Sequence, residues 1–225
     1  MKEILLFSGG MDSLILWYWL QQPNCLFVDV GQRYYQKEFS AVTDIAHETG
    51  MDLIYKEMRV IGEVEKPDAD MPQRNMFLLM LGSNYADKVY LTIQKDEFSI
   101  PDRKPAFFKE AEKIVSYLHN RPIKFPVPFE TMDKFDIVEW YKDMGHPIDL
   151  LQLTVGCYTK SKSKHCGNCG SCFRRATSLA YNDIDPETTL SPDIVKTYMR
   201  WIEEGKYSPE RAKKTIIALE KMRCL

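Results

Sequence analysis

The chain has 225 residues, 44% of them hydrophobic and 28% charged, and a formal net charge of −2. That is the composition of a soluble globular protein of one domain, or one domain with a small appendage. The slight acidic excess argues against broad, non-specific nucleic-acid binding, which needs many Lys and Arg contacts to phosphates. No apolar run approaches the ~20 residues of a membrane span. Lys2-Glu3 followed at once by a glycine loop does not make a secretory signal, so the expected compartment is the cytoplasm.

The first strand is expected at Ile4-Leu5-Leu6-Phe7. It runs into Ser8-Gly9-Gly10-Met11-Asp12-Ser13 and then into the apolar segment Leu14 to Leu20, a pattern of buried strand, tight glycine loop and helix start. Adjacent glycines let the backbone turn sharply and approach a ligand without a Cβ in the way. Loop N–H groups and a helix N-terminus then converge on one point, which suits a phosphate. Ser8 and Ser13 add hydroxyls. Asp12 would repel a bare phosphate, but it fits if a Mg²⁺ ion bridges the two.

Cys25 to Val30 is expected as a second buried strand, with Gly31-Gln32-Arg33 at its carboxyl end. Ligands of open parallel sheets bind just outside the carboxyl ends of strands. Gln32 and Arg33 therefore sit at the expected cleft, or Arg33 is a surface arginine on a loop. Lys37 to Thr49 has the three-and-four apolar spacing of a helix, stopped by Gly50. Leu53-Ile54-Tyr55 forms a third strand. The acidic segment Val60 to Met71 reads as a mobile loop near the active face or as a plain connection.

Pro72-Gln73-Arg74-Asn75 opens a helix from Met76 to Ala86 that is apolar on nearly every side and so expected to be deeply buried. Arg74 and Asn75 would face the cleft. Val89 to Ile93 is the fourth strand, Lys95 to Pro105 a charged loop with Asp102 and Arg103, and Ala106 to Leu118 a helix. Ile123 to Phe129 holds two internal prolines and is expected as a fifth, edge strand. A helix from Asp133 to Met144 would be capped by Thr131 or Asp133. Lys134 in its first turn is unfavourable for the helix dipole, so it either meets an anionic ligand or is solvated. Strands alternating with helices predict an α/β fold, a doubly wound parallel sheet of five strands.

Cys157, Cys166, Cys169 and Cys172 are spaced Cys-x₈-Cys-x₂-Cys-x₂-Cys. Six cysteines in a chain without a secretory signal point to metal binding before disulfides. Four converging thiolates are the tetrahedral shell of structural Zn²⁺; an iron–sulfur cluster uses the same set. His165, adjacent to Cys166, is expected to be a bystander, and Lys160, Lys162 and Lys164 to offset the thiolate charge. Beyond Arg174 and Arg175, helices are expected at Ala176 to Tyr181, Ser191 to Glu204 and Ser208 to Arg223, the last two opened by Ser-Pro pairs. The layout divides into an α/β domain that carries the phosphate-binding glycine loop, residues 1–150, and a zinc-binding helical segment, residues 151–225, packed as one unit.

Ser8 to Ser13 resembles the PP-loop of the ATP pyrophosphatases, which cleave ATP between its α- and β-phosphates. With Cys157-Tyr158, the three later cysteines and Arg175, the chain resembles the QueC family of 7-cyano-7-deazaguanine synthases. Gly31-Gln32-Arg33 with Glu38, Pro72-Gln73-Arg74-Asn75, the loop Asp96 to Arg103 and Lys134 match further family motifs. The loop departs from the family in reading Phe98-Ser99-Ile100-Pro101-Asp102-Arg103, without the family's tyrosine before the proline or cysteine before the arginine.

The resemblance implies ATP-dependent conversion of 7-carboxy-7-deazaguanine and ammonia to the nitrile, through adenylated intermediates, in 7-deazaguanine biosynthesis. It implies ATP, Mg²⁺ and Zn²⁺ as cofactors, a homodimer, and neither a nucleic-acid nor a membrane partner. Asp12, Ser13 and Lys134 become catalytic candidates. Ser8, Gly9, Gly10, Asp12, Ser13 and Arg74 become the ATP site, and Gln32, Arg33, Asn75, Asp102, Arg103 and Arg175 the substrate site. Two other readings share parts of the pattern. One is a PP-loop enzyme adenylating another substrate, including tRNA; the other is a non-catalytic zinc and nucleotide-binding protein.

Overall fold

Side-chain alternation along the first two strands decides the architecture. In β1 (Glu3–Leu6) and β2 (Asn24–Asp29), Leu5, Cys25 and Phe27 point to one face, and Ile4, Leu6, Leu26 and Val28 to the other. Both sets are buried, so both faces must be covered by helices. The computed structural model describes residues 2–225 other than 68, 99 and 162. The expected charge offset by Lys162, and the Ser99 position of the 96–103 loop, lie outside the described residues.

The chain continues through α1 (Met11–Trp19), α2 (Tyr35–Thr49), β3 (Leu53–Glu57), α3 (Arg74–Ser83), β4 (Lys88–Tyr90), α4 (Pro105–His119), α5 (Lys134–Asp143), α6 (Ile148–Leu153), α7 (Gly170–Tyr181), α8 (Pro192–Glu203) and α9 (Pro209–Lys221). Leu14, Ile15, Val42, Ile45, Ile137, Tyr141 and Leu151 of α1, α2, α5 and α6 close one face of the sheet. Leu79 of α3, with Phe108, Ala111 and Val115 of α4, closes the other.

The sheet is parallel, in the order β3-β2-β1-β4, with Leu5 opposite both Cys25 and Tyr90. The order reverses between β1 and β4, and such a switch point opens a crevice at the carboxyl ends of the strands. The glycine loop leaves β1 at that point.

Three expectations need correction. The sheet has four strands among the described residues, not five. Ile123 to Phe129 contributes one isolated bridge, Lys88 to Lys124, because Pro126 and Pro128 carry no N–H to extend a ladder. Helix α3 is not buried all round: Phe77 and Met80 are each 39% exposed, since the sheet and α4 cover only part of it. Helix α7 begins at Gly170, six residues before the expected start. The sulfur of Cys169 accepts the Cys172 N–H and serves as its cap, a role the metal-ligand reading of the motif hides.

The expected caps of the last helices are present. Ser191 and Ser208 each accept a backbone N–H, from Ile194 and Arg211 at 3.3 Å. Asp133, not Thr131, caps α5 through a reciprocal pair with Asp136. Phe173, Ala176, Leu190, Val195, Tyr198 and Leu219 bind α7, α8 and α9 into a small core, and the Phe173 and Tyr198 rings stack at 3.8 Å. Among the described residues no helix is long and apolar enough to cross a membrane.

Candidate active site and cysteine cluster

A cleft of about 870 Å³ opens at the switch point. Its floor is the carboxyl ends of β1 and β2, with Leu6, Phe7, Leu26 and Val28, together with Leu91 and Thr92 just past β4. Its rim comes from Pro72 to Asn75, Pro101 to Arg103, Lys134 and the segment around Gly156.

The glycine loop is shaped by its own hydrogen bonds. Gly9 has φ +71°, and a Cβ there would meet Val42 Cγ2 at 2.9 Å and the Glu38 carbonyl oxygen at 3.1 Å, so glycine is required. The Gly10 N–H points back to Ser8 Oγ at 3.3 Å. Ser13 Oγ donates to the Gly10 carbonyl at 2.8 Å and lies 3.3 Å from Ser8 Oγ. Ser8, Gly10 and Asp12 line the cleft, whereas Gly9 and Ser13 lie behind the loop and shape it. Ser13 is 3% exposed.

Asp12 and Lys134 lie 122 residues apart in the chain, at the starts of α1 and α5, and form an ion pair through Asp12 Oδ2. The other oxygen, Oδ1, is buried and has no hydrogen-bond partner among the described residues. Lys134 is the first residue of α5, directly after the capping Asp133, and this pairing explains a cation in that turn.

The other expected residues separate into those that face the cleft and those that do not. Arg74, Asn75, Gln32, Asp102 and Arg103 line it. Asn75 Nδ2 donates to the Asp102 carbonyl at 3.3 Å and ties α3 to the short turn Pro101–Arg103. Arg103 is held by Glu97 at 2.5 Å. Arg33 is turned away: its Nε meets Glu65 at 2.8 Å and its guanidinium also donates to the Lys66 carbonyl. Arg175 touches the cleft wall but is 4% exposed. It donates to the carbonyls of Pro186 and Leu151 and to Gln152 Oε1 at 2.8, 2.9 and 3.0 Å, which makes it a brace. Burial lowers its pKa to about 10.

The cation that does reach the cleft from α7 is Arg174, 2.9 Å from the Tyr158 hydroxyl, which also lines it. One residue is about 100° of helix, so choosing between two adjacent arginines needs the helix phase. Glu38 is the second residue that the sequence marked only as part of a motif. It lines the cleft and accepts a 2.5 Å hydrogen bond from Gln32 Nε2. Burial raises its carboxyl to about 7.

The four cysteines converge: the sulfurs of Cys157, Cys166, Cys169 and Cys172 all lie within 4.8 Å of one another, a group that could hold a metal ion. His165 is not among them; its buried Nδ1 has no partner among the described residues, and burial lowers its pKa to about 4. The compensating cation comes from a place the sequence did not suggest. Lys37 of α2 donates to Cys157 Sγ at 3.5 Å, while Lys164 reaches the Gln152 carbonyl. The cluster is joined to the cleft, because Val155, two residues before Cys157, donates its N–H to the Gly9 carbonyl at 2.9 Å. Gly156, Tyr158, Ser171 and Arg174 carry the cleft wall away from it.

Comparison with known proteins agrees with this arrangement. The family model described as "Queuosine biosynthesis protein QueC" matches residues 59–183. The 7-cyano-7-deazaguanine synthase of Archaeoglobus fulgidus is 31% identical over 245 residues, covering 92% of this chain and 99% of that protein. Proteins of the same name from Marinobacter nauticus and Methanosphaerula palustris are 28% and 29% identical, over 81% and 80% of this chain and 95% of each relative. With more than half of the chain matched by the family model and such a relative aligned along nearly all of it, the protein belongs to the QueC family.

Proposed function

We propose that the protein converts 7-carboxy-7-deazaguanine, ammonia and ATP into 7-cyano-7-deazaguanine. The observation that carries this reading is the alignment with the Archaeoglobus synthase over 92% of the chain. The glycine loop, Asp12, Lys134 and the 72–75 and 101–103 segments of that span meet in one cleft. ATP and Mg²⁺ would supply an AMP group that activates the substrate oxygen, with pyrophosphate as the leaving group.

The residues fit such a ligand. A Cβ on Gly10 would press on Ser8 Oγ at 3.2 Å, so the bare backbone leaves the Ser8 hydroxyl unhindered. The buried, unpartnered Oδ1 of Asp12 is an acceptor suited to a divalent cation. The N-terminus of α1 follows Gly10 directly, and Lys134 and Arg74 add positive charge on the same side. Ser13 serves by fixing the loop. Gln32, Asn75, Asp102, Arg103 and Arg174 line the cleft and would orient the deazapurine, and positioning is a large share of the catalysis.

The four cysteines would hold Zn²⁺ as a closed, structural site, since four sulfurs leave no position for water. The link from Val155 to Gly9 supports reading residues 1–150 and 151–225 as one working unit. A cytoplasmic homodimer acting on free small molecules completes the proposal. The test is pyrophosphate release by the purified protein with ATP, Mg²⁺ and ammonium. Release that requires 7-carboxy-7-deazaguanine is expected; release driven equally by tRNA, or none with the carboxylate, would overturn the reading.

A further inference from the structure

The proposed reaction strips one nitrogen bare. Ammonia enters with three N–H bonds and leaves as a nitrile nitrogen with none. The first proton goes as the C–N bond forms and AMP departs with the carboxyl oxygen. The second goes as the amide oxygen attacks the second ATP and pyrophosphate leaves. The third goes as the C≡N bond forms and the second AMP departs. A cleft that does this needs a proton acceptor, and none of the four histidines lines it.

We infer that Glu38 is the base that takes these protons, held in orientation by Gln32. Of the other cleft carboxylates, Asp12 is paired with Lys134, Glu97 with Arg103 and Asp70 with Lys66. Asp102 lies on the short turn Pro101–Arg103, and no described hydrogen bond orients its carboxylate. Glu38 differs from all of them in being held by a neutral amide.

Gln32 Nε2 donates to Glu38 Oε2 at 2.5 Å, and Gln32 Oε1 is itself fixed by the Val30 N–H at 3.0 Å. This backbone-to-amide-to-carboxylate chain fixes which oxygen is engaged and leaves Oε1 for a reacting group, the arrangement of base and orienter found in catalytic sites. The charged and titratable groups facing Glu38 are Arg74 at the start of α3, Glu65 after the turn Arg59–Val64, Asp29 at the end of β2, and Tyr34 just before α2. Burial, with Glu65 and Asp29, outweighs the Gln32 hydrogen bond and Arg74, and places the carboxyl at about 7, near the working pH of a general base.

This inference rests on the proposed reaction, and its test separates the two. Wild type and Glu38→Gln are assayed for the first-turnover release of pyrophosphate without ammonium, and for ammonium-dependent turnover from pH 5.5 to 9. Wild type is expected to show turnover that rises through a limb near 7. The variant is expected to lose that limb and at least ~100-fold in turnover, while its first pyrophosphate burst stays within about threefold. A variant with wild-type turnover and the same limb overturns the role of Glu38 alone. A variant that loses burst and turnover equally makes Glu38 a substrate-binding group and also overturns it. Wild type without carboxylate-dependent pyrophosphate would instead bring down the proposed reaction.

Discussion

Deleting the Asp12 side chain has two opposed effects on stability. It removes the ion pair with Lys134, whose partners keep 25% and 15% of their side-chain exposure. An exposed pair contributes about 0–1 kcal/mol, and breaking a fully buried one costs about 3–5 kcal/mol. This half-buried pair falls between them, at about 1–2 kcal/mol, because the surviving ammonium still reaches the open cleft. Deletion also removes Oδ1, a buried acceptor without a partner, which costs the native state about 1–3 kcal/mol. The two offset to within about 2 kcal/mol, and in a chain of this size 1 kcal/mol shifts Tm by roughly 2–4 °C. Asp12→Ala is therefore expected to melt within about 8 °C of wild type by circular dichroism. Its carboxylate-dependent pyrophosphate release should fall at least ~100-fold, the scale of losing one preorganised electrostatic group. A Tm lowered by more than ~10 °C with turnover retained would make Asp12 a structural partner of Lys134 and remove it from the site.

Removing one cysteine sulfur should be felt at the glycine loop, because the cluster is tied to Gly9 through Val155. Cys169→Ser is expected to lose bound zinc, measured by elemental analysis, together with most soluble protein, since metal binding is coupled to folding; a soluble, zinc-free, active variant would refute the assignment. The two adjacent arginines should separate cleanly. Arg174→Ala should raise KM for the carboxylate with little change in Tm, while Arg175→Ala, which strands the Leu151 and Pro186 carbonyls, should lower Tm. The reverse pattern would exchange their roles. Glu38 also predicts a pH-dependent stability. Between the ordinary value of 4.5 and about 7 the folded state keeps a proton that the unfolded chain has released, so stability falls as pH rises through that window. The rise corresponds to up to about 3 kcal/mol at 1.36 kcal/mol per pH unit. Glu38→Gln should thus raise Tm at pH 8 and change it little at pH 4; a gain equal at both pH values would contradict the burial of this carboxyl.

Periodicity made the sheet and its covering helices readable, because burial on both faces leaves near-continuous apolar runs such as Cys25 to Val30. It failed where a local rule competed with apolarity. Ile123 to Phe129 is apolar and extended, and Ile123 and Phe125 are buried as expected of a strand, yet its prolines withhold the N–H groups that pairing needs. The apolar helix α3 suggested full burial, but only a neighbour on every side could provide that, and Phe77 and Met80 lie partly on the uncovered side.

In the site, motifs located the chain segments but not the direction of each side chain. Gln32 and Arg33 are adjacent, and one enters the cleft while the other pairs with Glu65. Arg174 and Arg175 diverge for the same reason on a helix whose start was hidden by the cysteine motif. Lys37 carried no signal at all, because its sulfur partner lies 120 residues away in the chain.

Conversion of a carboxyl group to a nitrile with nitrogen from ammonia changes the mass of the deazapurine, so product mass is the decisive measurement. The protein would be incubated with ATP, Mg²⁺, 7-carboxy-7-deazaguanine and ¹⁵N-labelled ammonium, and the deazapurine products weighed. The expected product is a nitrile that carries the label, formed through a labelled amide that rises and then falls. An amide that accumulates without nitrile would contradict the second dehydration, and an unchanged carboxylate would contradict the proposed function itself.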